Sequence, residues 1–235
     1  MDKASSTDII VISLGGSIVV PNEVDTGFVR RFVSVVLARI ATPGSPRIAL
    51  VIGGGATARS YQAAARRIAP EVESAVLDEV GIAATRVNAA IVQAAFGNAC
   101  RDPLVTDPTA VTGITGSVLV AGGWKPGFST DNVAVHLAES LGANRLLNLS
   151  NINRIYTADP SEDPMAKPID RMSWEDLLTI TGTEWVPGKN TPFDPVAARR
   201  ASQLDMTVIT VDGRDLANFE ALLDGKPFIG TTVSG

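Results

Sequence analysis

The segment RIALVIGGGAT, residues 47–57, indicates the fold class of this chain. Its first six residues are mostly aliphatic, as in a strand that is buried on both faces of a parallel sheet. Three glycines follow, and the residues after them have a helical pattern. A glycine at such a junction lets a backbone N–H approach an anion without an obstructing Cβ, and the helix adds the positive end of its dipole. The segment therefore predicts a strand, loop and helix that together bind an anion.

Two more loops of this kind occur in the chain. One is Gly15-Gly16-Ser17, and the other is GGWKPGFSTD at residues 122–131. Each ends an apolar run and begins a helix-like segment, so the three loops predict a site for several phosphates. Any one of them would also suit an ordinary tight turn. The chain has no G-x-x-x-x-G-K-[ST], G-x-G-x-x-G or G-x-S-x-G pattern, which argues against three common types of site.

The alternation of strands and helices predicts an α/β fold. Aliphatic runs that suit buried strands lie at residues 8–14, 47–52, 117–121, 145–150 and 207–211. Helical patterns lie at residues 24–40, 56–69, 78–96, 131–141, 174–181, 195–204 and 216–223. The first two strands and the helix between them form a β-α-β unit. We expect a mostly parallel sheet covered on both faces, within a single domain of residues 1–235.

Composition narrows the range of functions. The net charge of −5 and the pI of about 4.9 argue against nucleic-acid binding, which depends on clustered Lys and Arg. Residues 1–8 do not resemble a signal peptide, and no apolar run is long enough to span a membrane, so we expect a cytoplasmic location. The single cysteine, Cys100, excludes an intramolecular disulfide, and Cys100 with the single histidine, His136, cannot form a zinc site. Both are predicted to be packing residues.

The order of the motifs along the chain resembles the amino acid kinase family, and within it the archaeal-type uridylate (UMP) kinases. The matching segments are LGGS at 14–17, VIGGG at 51–55, LDEVGI at 77–82, TRVNA at 85–89, GGWKPGFSTD at 122–131, NLSNI at 148–152, IYTADP at 155–160 and PFDPVA at 192–197. The resemblance implies an amino acid kinase (carbamate kinase-like) fold, which is a three-layer sandwich with a central, mostly parallel sheet.

The same resemblance implies a function. It implies ATP-dependent phosphorylation of UMP to UDP in pyrimidine biosynthesis, with ATP and Mg²⁺ as cofactors, small-molecule substrates only, and a homohexamer built from dimers. Two alternatives stay open. The acceptor could be a carboxylate, a carbamate or isopentenyl phosphate, or the chain could be a nucleotide- or oxyanion-binding protein without catalysis, used for storage or sensing.

Site residues follow from the matched motifs. The implied catalytic residues are Arg59, Asp194 and Lys125. Contacts with ATP are implied for Gly16, Ser17, Gly55, Arg59, Ser150, Tyr156 and Asp159. Contacts with UMP are implied for Gly54, Asp78, Trp124, Lys125, Pro126, Gly127, Phe128, Ser129 and Thr130, with the Asp78 carboxylate accepting from the ribose hydroxyls. Backbone N–H groups, an Arg and Mg²⁺ suit phosphoryl transfer, which depends on positioning and on neutralising negative charge.

Several of these residues also have a purely structural interpretation. Asp78 could complement a helix dipole, and Ser129, Thr130 or Asp131 could cap a helix. Tyr156 could be a core aromatic, and Asp159 could begin a turn.

The chain departs from the family pattern at two places. Many relatives have a lysine where Ser13 stands, so Lys125, Lys189 or Arg59 would have to supply the missing charge. An Asp of relatives is replaced by Asn153, and Arg154 follows it. We therefore expect Mg²⁺ to be held mostly by nucleotide phosphates and water, with Asp194 nearby, and we assign no metal ligand.

Overall fold

The computed structural model describes residues 8–182 and 191–235. The strands are β1 Ile9–Leu14, β2 Arg47–Ile52, β3 Val118–Ala121, β4 Arg145–Ser150, β5 Ile155–Tyr156, β6 Pro168–Ile169, β7 Arg171–Ser173, β8 Thr207–Asp212 and β9 Thr231–Ser234. The α-helices are α1 Gly16–Val19, α2 Thr26–Ile40, α3 Gly55–Ile68, α4 Ser74–Phe96, α5 Thr130–Leu141, α6 Trp174–Thr181, α7 Pro195–Gln203 and α8 Leu216–Leu223. None of the helices in these ranges is long and apolar enough to cross a membrane.

Seven strands form the central sheet, in the order β3-β2-β1-β4-β8-β9-β7. The five strands predicted from aliphatic runs pair in parallel, which confirms the mostly parallel sheet. β9 is antiparallel to β8, and β7 is parallel to β9. The sequence did not predict these two strands or the small β5-β6 hairpin, because each is four residues or shorter and lacks an aliphatic run.

The alternation of side chains along β1 separates two apolar cores. Ile10 and Ile12 point to one face, where buried residues of α2, α4 and α8 cover the sheet, including Phe32, whose ring stacks on Phe219 at 5.6 Å between centroids. Val11 points to the other face, which is covered by α5, α6 and α7. These layers match the predicted three-layer sandwich. A single domain over residues 1–235 stays a prediction.

The order of the strands brings the three glycine loops to one edge of the sheet. The chain runs from β1 outward to β2 and β3, and then returns to the other side of β1 with β4. In open α/β sheets, ligands bind at the carboxyl ends of the strands where the order reverses in this way. The three glycine loops follow β1, β2 and β3, so all of them lie at this edge.

Candidate active site

The first two glycine loops pack backbone to backbone. A Cβ on Gly16 would lie 2.0 Å from the backbone nitrogen of Gly55, and a Cβ on Gly53 would lie 2.4 Å from that of Gly16. Gly55 itself has φ of +56°, which side chains rarely adopt. Because α1 begins at Gly16 and α3 begins at Gly55, two helix N-termini meet here. The arrangement concentrates backbone donors at one point, as a phosphate site requires.

Helix α4 fixes the second loop through Asn88, which is fully buried. Asn88 Nδ2 donates to the carbonyl oxygens of Gly53 and Gly54, each over 2.9 Å, and its Oδ1 accepts from Thr57 Oγ1 over 3.2 Å. The buried amide therefore satisfies two loop carbonyls and one hydroxyl of α3.

The same helix fixes the third loop at three places. Thr85 Oγ1 accepts from the Gly123 N–H over 2.6 Å, and Asp78 Oδ2 accepts from the Gly127 N–H over 2.9 Å. Arg86 donates to the carbonyl oxygens of Gly123 and Trp124 over 3.1 and 3.0 Å. Sequence reasoning included Thr85, Arg86 and Asn88 in a family motif but gave them no role. The signal for such a role was polar residues at helical spacing on an otherwise apolar helix.

A cavity of about 280 Å³ lies between these loops and α4. It is lined by Gly54, Gly55, Ala58, Arg59, Asp78, Gly81, Ile82, Thr85, Gly123, Phe128, Ser129 and Thr130. Seven of the predicted site residues thus meet around one space. Trp124, Lys125, Pro126 and Gly127 belong to the same loop but do not line the cavity. Gly16 adjoins it through Gly55, and Ser17 follows Gly16 in α1.

Arg59 and Asp78 are the charged residues in this lining. Arg59 is exposed on α3, and its Nη2 donates to the Pro21 carbonyl oxygen over 3.3 Å. Asp78 lies in the second turn of α4, since the helix begins at Ser74, four residues earlier than predicted. Complementing the helix dipole is therefore not its main role, because that effect falls off within the first turn.

Ser129 caps α5, as one of its two interpretations predicted. Its side chain accepts from the Asn132 N–H over 3.2 Å, and the residue also lines the cavity. The N-terminus of α5 therefore opens toward the same space as that of α3.

Lys125 stands over aromatic rings. Its Nζ lies 3.8 Å from the centroid of the Trp124 ring and 4.7 Å from that of Phe128, which are cation–π distances. His136 packs against both rings, and its burial lowers the pKa of the imidazole. His136 is thus a packing residue here, as predicted, and so is the half-buried Cys100.

Two carboxylates, the buried Asp194 and the partly buried Asp131, lie beneath the loops. Asp131 Oδ1 accepts from Ser13 Oγ over 2.9 Å, and its Oδ2 accepts from the Asp194 N–H over 3.3 Å. Burial raises the pKa of Asp131 to about 6; the Ser13 hydrogen bond opposes this shift, and the negative charge of Asp194 adds to it. The sequence suggested only a capping role for Asp131, but the N-cap of α5 is Ser129.

Asp194 is the N-cap of α7. Its Oδ1 accepts from the backbone N–H groups of Val196 and Ala197 over 2.7 and 2.9 Å. Ser13 is 1% exposed, and its hydroxyl group donates to Asp131 as a neutral group. The expectation that another cation replaces a lysine at this position stays a prediction.

Three of the residues predicted to contact ATP, Ser150, Tyr156 and Asp159, lie at the end of β4 or after it. The Ser150 backbone lies beside Gly15, and Tyr156 Oη donates to Asn153 Oδ1 over 3.1 Å. Asp159 is exposed and accepts from the N–H and hydroxyl of Ser161, and these bonds lower its pKa.

The geometry of Asp159 therefore matches its interpretation as the start of a turn.

Arg154, which follows Asn153, is paired with a carboxylate. Its Nε lies 3.0 Å from Asp170 Oδ1. Lys189 lies outside the described residues.

The chain is similar to known proteins over nearly its whole length. The model of the family described as "Amino acid kinase family" matches residues 8–212. A uridylate kinase of Methanospirillum hungatei is 40% identical over 228 residues, covering 96% of this chain and 94% of that protein. A uridylate kinase of Methanoculleus marisnigri is 38% identical, covering 95% of this chain and 94% of that protein.

Solved structures agree with these relatives. The crystal structure of uridylate kinase from Archaeoglobus fulgidus superposes with a TM-score of 0.80 at 29% identity, covering 96% of this chain and 99% of that one. UMP kinase from Bacillus anthracis superposes with a TM-score of 0.76 at 16% identity, covering 97% and 96%, and shows the shared fold alone.

Proposed function

The chain belongs to the amino acid kinase family, and on this basis we propose that it transfers the γ-phosphoryl group of ATP to UMP, forming UDP. The relatives named above support UMP as the acceptor, since they are uridylate kinases and this chain matches them over nearly their whole length. The observation that carries the proposal is the cavity in which Arg59, Asp78 and the N-terminus of α5 surround one space beside the packed glycine loops.

The cavity suits a nucleoside monophosphate. Asp78 Oδ1 makes no hydrogen bond with any residue the structure describes, so it can accept from ribose hydroxyls while Oδ2 keeps its bond to Gly127. Phe128 offers an apolar surface for the base, and Ser129 and Thr130 add donors at a helix N-terminus. Trp124, Lys125 and Pro126 would act by shaping the loop around UMP.

Phosphoryl transfer requires in-line positioning and stabilisation of spreading negative charge. In the proposed mechanism Gly16, Ser17 and Gly55 hold the ATP phosphates by backbone donors, and Arg59 neutralises charge on the transferring group. No general base is needed, because the acceptor is a phosphate that is already anionic near neutral pH. Ser150, Tyr156 and Asp159 would contact the nucleotide of ATP. Lys125 would reach the phosphates only by leaving its position over Trp124.

We expect Mg²⁺ to enter the site bound to the phosphates of the nucleotide. The described residues contain no group of three or more His, Cys, Asp or Glu side chains that could hold a metal. Asp131 and Asp194 are adjacent, and both already accept hydrogen bonds. We propose that Mg²⁺ is held mostly by phosphates and water, with Asp194 near it. When bound, Mg²⁺ would neutralise phosphate charge.

We further propose that the chain forms a homo-oligomer, a hexamer by resemblance. Helix α3 buries none of its residues within the chain, and Tyr61 and Ile68 on it are 65% and 85% exposed. Val87 and Ile91 of α4 are also exposed. Large apolar side chains exposed together on neighbouring helices are typical of a contact surface. A cytoplasmic location stays a prediction from the sequence.

A coupled assay of UDP formation from UMP, ATP and Mg²⁺ tests the function. CMP, acetylglutamate and isopentenyl phosphate serve as parallel acceptors. We expect turnover that is selective for UMP. Selective turnover with another acceptor, or nucleotide binding without turnover, would contradict the proposal.

A further inference from the structure

Arg86 lies against the loop formed by residues 122–130, outside the lining of the cavity. It is half-buried on α4, and its Nε and Nη2 donate to the carbonyl oxygens of Gly123 and Trp124 over 3.1 and 3.0 Å. A Cβ on Gly122 would lie 2.9 Å from Arg86 Cγ and 3.1 Å from Arg86 Cα. The glycine at this position therefore permits the close approach of the loop to the arginine.

This contact differs from the other attachments of the loop. Asp78 holds the loop at Gly127, but the same carboxylate lines the cavity and is available to a ligand. Thr85 holds Gly123 by its N–H and also lines the cavity. Arg86 holds the carbonyls of two consecutive residues without facing the ligand. It can therefore keep the beginning of the loop in place whether the cavity is filled or empty.

The guanidinium group suits this task. Its N–H donors diverge at fixed angles, so a single side chain bonds two neighbouring carbonyl groups at once. Both bonds are assisted by the positive charge and are stronger than bonds between neutral groups. A lysine is a point charge on a flexible stem and keeps only part of this geometry.

We propose that Arg86 is a positioning residue that sets the affinity for the acceptor nucleotide by fixing residues 122–130. It acts through the loop, which brings Phe128, Ser129 and Thr130 to the cavity. The identity of the acceptor as UMP rests on the proposed function, whereas the control of the loop by Arg86 does not.

The test compares the wild type with Arg86→Ala and Arg86→Lys. We expect Arg86→Ala to raise KM for UMP about tenfold, because two charge-assisted hydrogen bonds to the loop are lost. We expect kcat and KM for ATP to stay within about twofold, since the donor side lies on other loops. Arg86→Lys should restore part of the lost affinity. If Arg86 had a merely structural role, its loss would instead lower kcat and raise KM for both substrates together.

The matched control is Arg101→Ala. Arg101 also donates to a backbone carbonyl, that of Asn98, but it is exposed and does not line the cavity. We expect wild-type constants for this variant. An unchanged KM for UMP in folded Arg86→Ala, or an equal rise in both KM values, overturns the proposal.

Hydrogen exchange of residues 122–130 without ligand separates this inference from the proposed function. We expect faster exchange in Arg86→Ala than in the wild type and in Arg101→Ala, because the loop loses its attachment to α4. If the wild type forms no UDP, the function fails while this measurement still tests Arg86. Unchanged exchange overturns the inference. Should Arg86→Ala not fold, Arg86→Lys provides both readouts with the same expected directions.

Discussion

The backbone N–H of Gly127 donates to Asp78 Oδ2 over 2.9 Å, so one carboxylate joins helix α4 to the loop that carries Phe128 into the cavity. Gly127 has φ of +81°, a conformation that favours glycine. Asp78 also lines the cavity. The same side chain thus supports the loop and is available to a ligand.

Replacing Asp78 with alanine should weaken the binding of the acceptor UMP more than the binding of the donor ATP. We expect KM for UMP to rise about 10- to 100-fold, because both the loop contact and an acceptor for ribose hydroxyls are lost, while KM for ATP changes little. Glu79→Ala is the control, since Glu79 is exposed and does not line the cavity. Steady-state kinetics with each substrate varied in turn measures the effect. Equal constants for the two variants would contradict the role of Asp78.

Replacing Arg59 should slow the chemical step. We expect Arg59→Ala to lower kcat about 100-fold, because a cation that stabilises the transferring group is removed from the cavity. Arg59→Lys should keep part of the rate through its charge. Arg66→Ala, which removes an exposed arginine from the last turn of the same helix, is the control. If kcat of Arg59→Ala matches that of the control, Arg59 has no part in catalysis.

The substitution Asp194→Asn removes the charge of this residue but keeps an N-cap on α7. Asn is as good an N-cap as Asp, so Asp194→Asn should keep the stability of α7 while turnover falls at least about tenfold. Asp215→Asn is the control, because Asp215 caps α8 by accepting from the Asn218 N–H, far along the chain from the glycine loops. Thermal unfolding and turnover are measured on both. Full turnover in Asp194→Asn would rule out a role for the charge.

The contact between the first two glycine loops leaves no space for a methyl group. A Cβ on Gly55 would lie 2.2 Å from the Gly16 carbonyl oxygen, and the residue has φ of +56°. We expect Gly55→Ala to lower the free energy of unfolding by about 3 kcal/mol or more. Gly113→Ala should change it by less than about 0.5 kcal/mol, since nothing lies within 4 Å of that Cβ position. Urea denaturation compares the two, and similar midpoints would disprove the close packing.

Asp131 should make stability depend on pH in an unusual direction. Its pKa is about 6 in the native protein, against an ordinary value of 3.8. Between these values the native state binds more protons than the unfolded chain, so stability falls as pH rises from about 4 to about 6, by roughly 3 kcal/mol in total. Above that range this carboxyl adds no further slope.

The variant Asp131→Asn isolates this contribution. We expect the free energy of unfolding of the variant, relative to the wild type, to rise between pH 4 and pH 7. The lowered pKa of His136 makes stability rise with pH near its ordinary value of 6.5, but this contribution is common to both proteins and cancels in the difference. Parallel curves for the two proteins would show that the Asp131 pKa is not raised.

Local patterns along the chain predicted most of the strands and helices, and they indicated the family. Aliphatic runs predicted five strands within about one residue of their observed bounds, and apolar spacing predicted seven helices, because both patterns reflect burial within a single segment. The glycine motifs and their order gave the family. The start of α4 was placed four residues too late, because its first turn has no capping side chain and little apolar pattern.

Contacts between distant segments depended on the order and register of the strands. Ser13 and Asp131 are 118 residues apart in the chain and meet because β1 lies beneath the N-terminus of α5. Arg86 of α4 reaches the third glycine loop, 37 residues further along the chain, for the same kind of reason. Propensity and periodicity describe one segment at a time. A hydrogen bond between two segments depends on how the whole sheet brings them together, which no local pattern contains.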